Sequence, residues 1–330
     1  MVKLRVATRK SALALAQTTM AADAIVSANS ASNAELLTYE LVSMTTEGDR
    51  RLDKSLASFG GKGVFIKELE IALLENRADI AIHSLKDMPA EVLPEFKLAA
   101  VLKREDPRDA FLSRGGAAGV KFMDLPSGAR VGTGSIRRVV QLKALRQDIE
   151  YVPIRGNIQT RISKLAELDG VVLAAAGLKR MGLADQVTEY FSTEQVLPAS
   201  GQGILAIETL SENPNVDSRH PELSEGSSEI STIAQILARA NDIETFCVAS
   251  AEMAYLKALN AGCQFPVASF AEFVCECVNK LKICGVYWDE KSAKMVRAEV
   301  AGSIDLKSAD CVLQSKKLGI ELAQEIKKQM

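Results

Sequence analysis

Histidine is nearly absent from this chain. Only His83 and His220 occur among 330 residues. A Ser-His-Asp triad needs a histidine beside its nucleophile. His83 falls in the β-rich apolar run ADIAIHS and reads as a packed, hydrogen-bonded strand residue, while His220 falls in a polar, turn-rich stretch, so triad chemistry is set aside. No apolar run reaches the roughly 18 residues that a membrane helix needs. Arg9 and Lys10 stand where a signal peptide carries its apolar core. That points to a cytoplasm-like compartment, and a mature organellar form has the same appearance. Cysteine is missing before position 247; Cys247, Cys263, Cys275, Cys277, Cys284 and Cys311 all follow. This clustering does not suggest a disulfide framework. The Cys275-x-Cys277 pair has no histidine nearby and reads as alternating strand residues, with no metal expected. Formal net charge is only -2, so any strongly cationic site must be local, which argues against a general nucleic-acid binder. The GGKG stretch at 60–63 lacks the G-K-[ST] ending of a phosphate loop. It reads instead as a lid carrying Lys62 and Phe65.

What is present alternates between strand and helix patterns. LRVAT (4–8) reads as a strand, and the helical stretch that follows has Ser11 as its N-cap. LLTYELVSMTT (36–46), ADIAIHS (78–84) and LAAVLKR (98–104) read as further strands, with FIKELEIALLENR (65–77) an amphipathic helix among them. A second set starts near Asp109: ARVGTGS (129–135) is strand then turn with IRRVVQLKAL a helix after it, YVPIRG (151–156) is a strand with IQTRISKLAEL a helix after it, and DGVVLAAAG (169–177) is a buried strand. Alternation of this kind predicts an α/β architecture with largely parallel sheets. The segment 211–228 reads as a surface insertion. From about 243 the texture becomes a smaller α+β unit: a helix, strands over FVCECVNKLKICGVYW and KMVRAEVAG, and a closing helix.

The turns TRKS (8–11) and GTGS (132–135) each end a strand and open a helix, and such helix starts favour anions. Arg9, Arg137, Arg138, Arg155, Arg161 and Arg180 all fall at or just past strand C-terminal ends, where open α/β sheets bind ligands. Paired guanidinium N–H donors match carboxylates; the alternative is a set of ordinary surface arginines. Asp87, in HSLKDMP, is a carboxylate in the same ring of turns. It either caps a turn or stabilises a developing cation. Cys263, in AGCQFP, is the one cysteine placed in a loop, either partly buried and inert or reachable as a thiolate.

Taken together, ATRKSALALAQ, GGKGVFIKELEIALLENRADIAIHSLKDMP, REDPRDAF, GTGSIRR, RGNIQTRISKL, AAAGLKRMGL, GQG and GCQFPVASF resemble the porphobilinogen deaminase family. The likeness runs from about residue 3 to 208 and again from 243 to 272. It implies two α/β lobes like those of periplasmic binding proteins and a smaller α+β C-terminal domain. The implied boundaries are 1–104 plus 199–240 for the first lobe, 105–198 for the second and 241–330 for the third domain. The implied activity is head-to-tail condensation of four porphobilinogen molecules, with loss of ammonia, on a dipyrromethane cofactor bound covalently at Cys263. Hydrolysis then releases hydroxymethylbilane for tetrapyrrole (haem or chlorophyll) biosynthesis. The implied enzyme is a cytoplasmic, monomeric transferase that passes its product to uroporphyrinogen-III synthase. By the same resemblance Asp87 is catalytic. Lys86, Thr133, Ser135, Arg137, Arg138, Gly156 and Arg161 contact the cofactor, and Arg9, Ser11, Gln17, Arg155, Arg180 and Gln202 contact substrate. A passive two-lobed binder of small dicarboxylates is the competing reading; it needs neither Asp87 nor a loop cysteine.

The chain departs from the family pattern in places. Gly134 stands in GTGS where GTSS is common, LNAGC replaces LEGGC, AEMAYL replaces the ERAFL segment, and Cys247 stands where an arginine is expected. An arginine shortly after GQG is also absent. These changes put the docking of the third domain in question more than the chemistry.

Overall fold

The computed structural model describes residues 2–30, 37–46, 66–211, 233–261, 265–274, 279–289 and 292–330. Lys62, Phe65, Cys263, Cys275, Cys277 and the insertion beyond Ser211 therefore lie outside the described residues. The described parts of 1–51, 62–103 and 204–246 form one compact unit, and those of 104–203 and 247–330 form another.

The first unit holds β1 (Val2–Arg9), β2 (Leu37–Met44), β3 (Ile80–Ser84), β4 (Phe96–Val101) and β10 (Leu205–Leu210) in the order β2-β1-β3-β10-β4. Alternation along β1 sorts its side chains. Val2, Leu4 and Val6 join one buried cluster with Ala21, Ala22 and Ile25 of α1 (Ala12–Ser30) and with Ile236 and Leu237 of α6 (Ile233–Ala240). Ala7 joins the other, with Leu69, Ala72 and Leu73 of α2 (Lys67–Leu74). The sheet is thus covered on both faces, which is why β3 reads as continuous apolar sequence.

The second unit contains two sheets. One orders β5 (Asp109–Ser113), β6 (Arg130–Gly132), β7 (Glu150–Val152), β8 (Gly170–Ala174) and β9 (Glu189–Tyr190) as β7-β6-β8-β5-β9, with α3 (Ile136–Leu145), α4 (Ile158–Ser163) and α5 (Ala175–Arg180) following β6, β7 and β8. Phe111, Phe122 and Phe191 meet edge-on or tilted in its core, at centroid separations of 5.6, 6.4 and 5.3 Å. The other is the small antiparallel meander β11 (Val267–Phe273), β12 (Lys280–Asp289) and β13 (Lys294–Ser303), covered by α8 (Cys311–Lys328). Gly319 of α8 lies where a Cβ would run into the carbonyl oxygen of Ala251, so glycine is what permits α8 to approach the helix Ile243–Ala258 (α7) so closely. Among the described residues no helix is long and apolar enough to cross a membrane.

One expectation needs correction. The sheets are mixed rather than largely parallel. β1 pairs in parallel with β2 and β3, but β10 runs antiparallel to both β3 and β4. Likewise β6 is parallel to β7 and β8, while β5 runs antiparallel to β8 and β9. A strand inserted from a distant part of the sequence carries no signature of its partner's direction. The pattern of alternating elements shows only the local crossovers.

Candidate active site

In the first unit, the parallel pairing of β1 with β3 delivers both C-terminal ends to one edge of the sheet. Arg9 ends β1, and Ser11 follows, its Oγ accepting the Ala14 amide at 3.3 Å to cap α1. Gln17, two turns later, is buried and accepts the Ser84 hydroxyl on its Oε1 at 3.2 Å, pinning α1 to the end of β3. Beyond Ser84 the chain makes one 3₁₀ turn, Leu85–Asp87. Leu85 and Met88, on either side, are buried, and the Leu85 amide donates to the Ile204 carbonyl at 3.0 Å. Between these anchors Lys86 is half-buried and Asp87 is exposed. Asp87 has no hydrogen-bond or ion-pair partner among the described residues, so its carboxylate is held on a fixed turn yet remains uncommitted.

His83, one residue earlier, is buried and pairs through Nε2 with Glu208 Oε2 of β10 at 3.0 Å. This is the packed strand histidine that the sequence predicts. Glu208 Oε1 is buried without a partner among the described residues. Nearby on α2, burial pushes the Glu70 carboxyl up, Glu208 and Glu95 push the same way, and His83 opposes them.

In the second unit, the ends of β6, β7 and β8 lie along one edge through their parallel register. The Thr133 amide donates to Val152 O at 3.0 Å, and Thr133 is buried. Ser135 occupies the N-cap position of α3, yet its hydroxyl makes no cap bond. Gly134, between them, passes so close to the next strand end that an added Cβ would stand 2.6 Å from Ile154 O. A Cβ at this position, where the chain departs from the family pattern, would therefore force the turn to shift. Gly156 has φ +104°, and its carbonyl accepts Arg161 Nε at 2.8 Å, which folds Arg161 back over the turn; Arg155 is exposed. Arg180 Nη2 donates to Gly203 O at 2.6 Å, and burial lowers its pKa while Glu105 raises it.

Arg137 and Arg138, in the first turn of α3, are both buried. They converge on Asp109, which opens β5 and is fully buried. Asp109 Oδ2 accepts Arg137 Nη1 at 2.8 Å. Its Oδ1 accepts Arg138 Nε at 3.0 Å, Arg138 Nη2 at 2.7 Å and Gln202 Nε2 at 2.9 Å. Burial pushes the Asp109 carboxyl up, but the two arginines pull harder and hold it well below the usual carboxylate range. Burial lowers Arg137; Asp109 raises it, and Arg138 lowers it again. Arg137 Nε is buried and has no hydrogen-bond partner among the described residues.

Residues 4–218 match a family described as the porphobilinogen deaminase dipyromethane cofactor binding domain, and 246–328 match the porphobilinogen deaminase C-terminal domain. The chain belongs to the porphobilinogen deaminase family. A porphobilinogen deaminase of Syntrophus aciditrophicus is 42% identical over 327 residues, 98% of this chain and 94% of the relative. One of Clostridium kluyveri is 43% identical over 300 residues, 90% of this chain and 92% of the relative. An arginine-specific periplasmic binding protein of Salmonella typhimurium shares a TM-score of 0.37 at 16% identity, covering 73% of this chain and 92% of that one.

The porphobilinogen deaminase family uses a dipyrromethane cofactor. The residues present fit an acidic organic group of that kind. Two guanidinium groups share one carboxylate, which leaves a buried surplus of positive charge, and Arg137 Nε is a buried donor that still lacks an acceptor.

Sequence reasoning missed Asp109, whose role lay hidden in the motif REDPRDAF. A carboxylate opening a fully buried strand was the available signal. It also missed Glu252, fully buried in α7, which accepts Arg104 Nη1 at 2.7 Å, the Gly201 amide at 2.6 Å and the Ala271 amide at 2.8 Å.

Proposed function

We propose that this chain is a hydroxymethylbilane-forming transferase. It joins four porphobilinogen molecules head to tail, with loss of ammonia, on a dipyrromethane primer held by Cys263, and releases the linear tetrapyrrole by hydrolysis. The bound dipyrromethane supplies the nucleophilic pyrrole carbon; the chain's own residues bind, orient and balance charge. Each pyrrole brings an acetate and a propionate, so the need for guanidinium partners grows with the oligomer. Arg137 and Arg138, with Lys86, Thr133, Ser135, Gly156 and Arg161, hold the cofactor. Arg9, Ser11, Gln17, Arg155, Arg180 and Gln202 serve substrate, and Lys62 and Phe65 belong to a lid. Asp87 holds pyrrole N–H groups and stabilises positive charge as ammonia departs. Its exposed, uncommitted carboxylate between two buried anchors is the observation that carries this assignment. The chain acts as a monomer, with 1–104 plus 199–240, 105–198 and 241–330 as its three domains. A cytoplasmic location and transfer of the product to uroporphyrinogen-III synthase complete the proposal.

Charge placed ahead of the transition state typically contributes about 3 kcal/mol or more, a factor of roughly a hundred in rate. Asp87→Asn is therefore expected to keep the dipyrromethane adduct, seen by intact mass, while single-turnover consumption of porphobilinogen falls about a hundredfold. Turnover within about tenfold of the parent would remove Asp87 from this role.

A further inference from the structure

The geometry points to Asp109 as the positioning residue that presets Arg137 and Arg138 before the dipyrromethane cofactor arrives. This rests on the reading that these arginines hold the cofactor, and adds which group arranges them. Three features carry it. First, the carboxylate divides its oxygens: Oδ2 takes Arg137 through Nη1, and Oδ1 takes Arg138 through Nε and Nη2. Second, the two arginines are left in different states. Arg138 also donates Nη1 to Val172 O at 3.0 Å, so all three of its nitrogens are engaged within the protein. Among the described residues the Arg137 side chain donates only through Nη1, to Asp109 and to Leu197 O at 2.7 Å, and its Nε is buried without an acceptor. Arg137 is thus the arginine with a donor kept for an incoming carboxylate, and Arg138 acts by holding Asp109 and adding charge. Third, Gln202 Nε2 ties Asp109 Oδ1 and Pro107 O at 2.9 and 2.7 Å, so the carboxylate itself is fixed.

An arginine side chain loses much of its rotamer freedom when immobilised. Asp109 imposes that loss during folding, so cofactor binding does not bear it again. It also screens two like charges that would otherwise repel across a buried space. It leaves a local surplus of one positive charge, enough to attract a carboxylate and not enough to expel the arginines from the interior.

The test uses full-length apoprotein, made in a host that produces no porphobilinogen and then loaded by adding porphobilinogen. Appearance of the adduct is followed by intact mass and normalised to the folded fraction from circular dichroism. Asp109→Asn keeps the volume and removes the charge; its loading is expected to slow by about tenfold or more per folded molecule. Arg137→Gln separates the two readings. If Arg137→Gln loads like the parent, the arginines do not hold the cofactor. If Arg137→Gln fails to load but Asp109→Asn loads like the parent, the cofactor reading stands and the positioning role is overturned. Should Asp109→Asn not fold, parent apoprotein carrying nitrogen-15 in its arginines gives the answer. Resolved, slowly exchanging Nε–H signals for Arg137 and Arg138 before loading, with Arg137 shifting more on loading, support preset arginines. Bulk-like, rapidly exchanging signals for both overturn it.

Discussion

Glu252→Gln is the substitution whose consequence the structure quantifies best. The carboxylate is fully buried and gathers four donors: Arg104 Nη1 at 2.7 Å, Arg104 Nη2 at 3.4 Å, the Gly201 amide at 2.6 Å and the Ala271 amide at 2.8 Å. It thereby ties α7 to β11 and to the GQG turn at 201–203. Glutamine has nearly the same shape, but one acceptor becomes an amide NH₂ facing donors, and Arg104 loses its counter-charge. Breaking a buried ion pair from one side typically costs about 3–5 kcal/mol. With a urea slope near 2 kcal/mol per molar, this amounts to a midpoint shift of about 1.5–2.5 M. Trp288 is the sole tryptophan and lies on β12, so its fluorescence reports the third sheet separately from the far-ultraviolet signal of the whole chain. The tryptophan transition should move to lower urea first. Arg104→Met adds a comparable loss, because it also removes the bond to Gln202 O at 2.9 Å and the stacking on Phe270 at 4.8 Å. Combining the two should fall short of their sum by about 0.5–3 kcal/mol, as for residues in direct contact. Full recovery is not expected, since two of the four donors are backbone amides. A Trp288 midpoint within about 0.5 M of the parent in Glu252→Gln would refute the reasoning.

Two further predictions concern the second unit. Gly134→Ala restores a Cβ that would stand 2.6 Å from Ile154 O, so the turn must shift; the expected cost is about 1–3 kcal/mol, read as a lower thermal midpoint, and a neutral result would contradict the close approach. Asp106 is pushed up by burial but pulled down further by Arg108 and Lys179, to about 2 from 3.8. Its folded value lies below its unfolded one, so the stability it supplies is complete above about pH 4 and is lost as pH falls through about 2. Asp106→Asn should flatten the acid limb of the thermal midpoint against pH in that window, and an unchanged limb would remove Asp106 from the acid response.

Much of this architecture was legible in local pattern. IRRVVQLKAL is α3 residue for residue, and Ser11 caps α1 as its position before an apolar helical stretch implies. The position of each arginine at or past a strand end was legible, because strand-to-helix turns are marked locally in the sequence. Two kinds of information were not local. The placement of β10 between β3 and β4 depends on pairing across more than a hundred residues. The convergence of Arg137, Arg138 and Gln202 on Asp109 depends on three separate segments meeting in the interior. Some family departures also acquire reasons only in three dimensions. Asn260, in LNAGC, has φ 52° where α7 ends, and the following amide returns to Leu256 O at 3.0 Å. That is a left-handed helix stop, which asparagine tolerates better than glutamate does. Cys247, standing where an arginine was expected, is fully buried.

The central claim is that this chain works on a dipyrromethane tethered through sulfur. The most direct measurement is the intact mass of the purified, active protein, followed by peptide mapping. The account predicts a mass above that of the sequence by one dipyrromethane, located on the peptide that contains Cys263 and absent from Cys263→Ala. Active protein whose mass equals that of the sequence, with Cys263 unmodified, would contradict it.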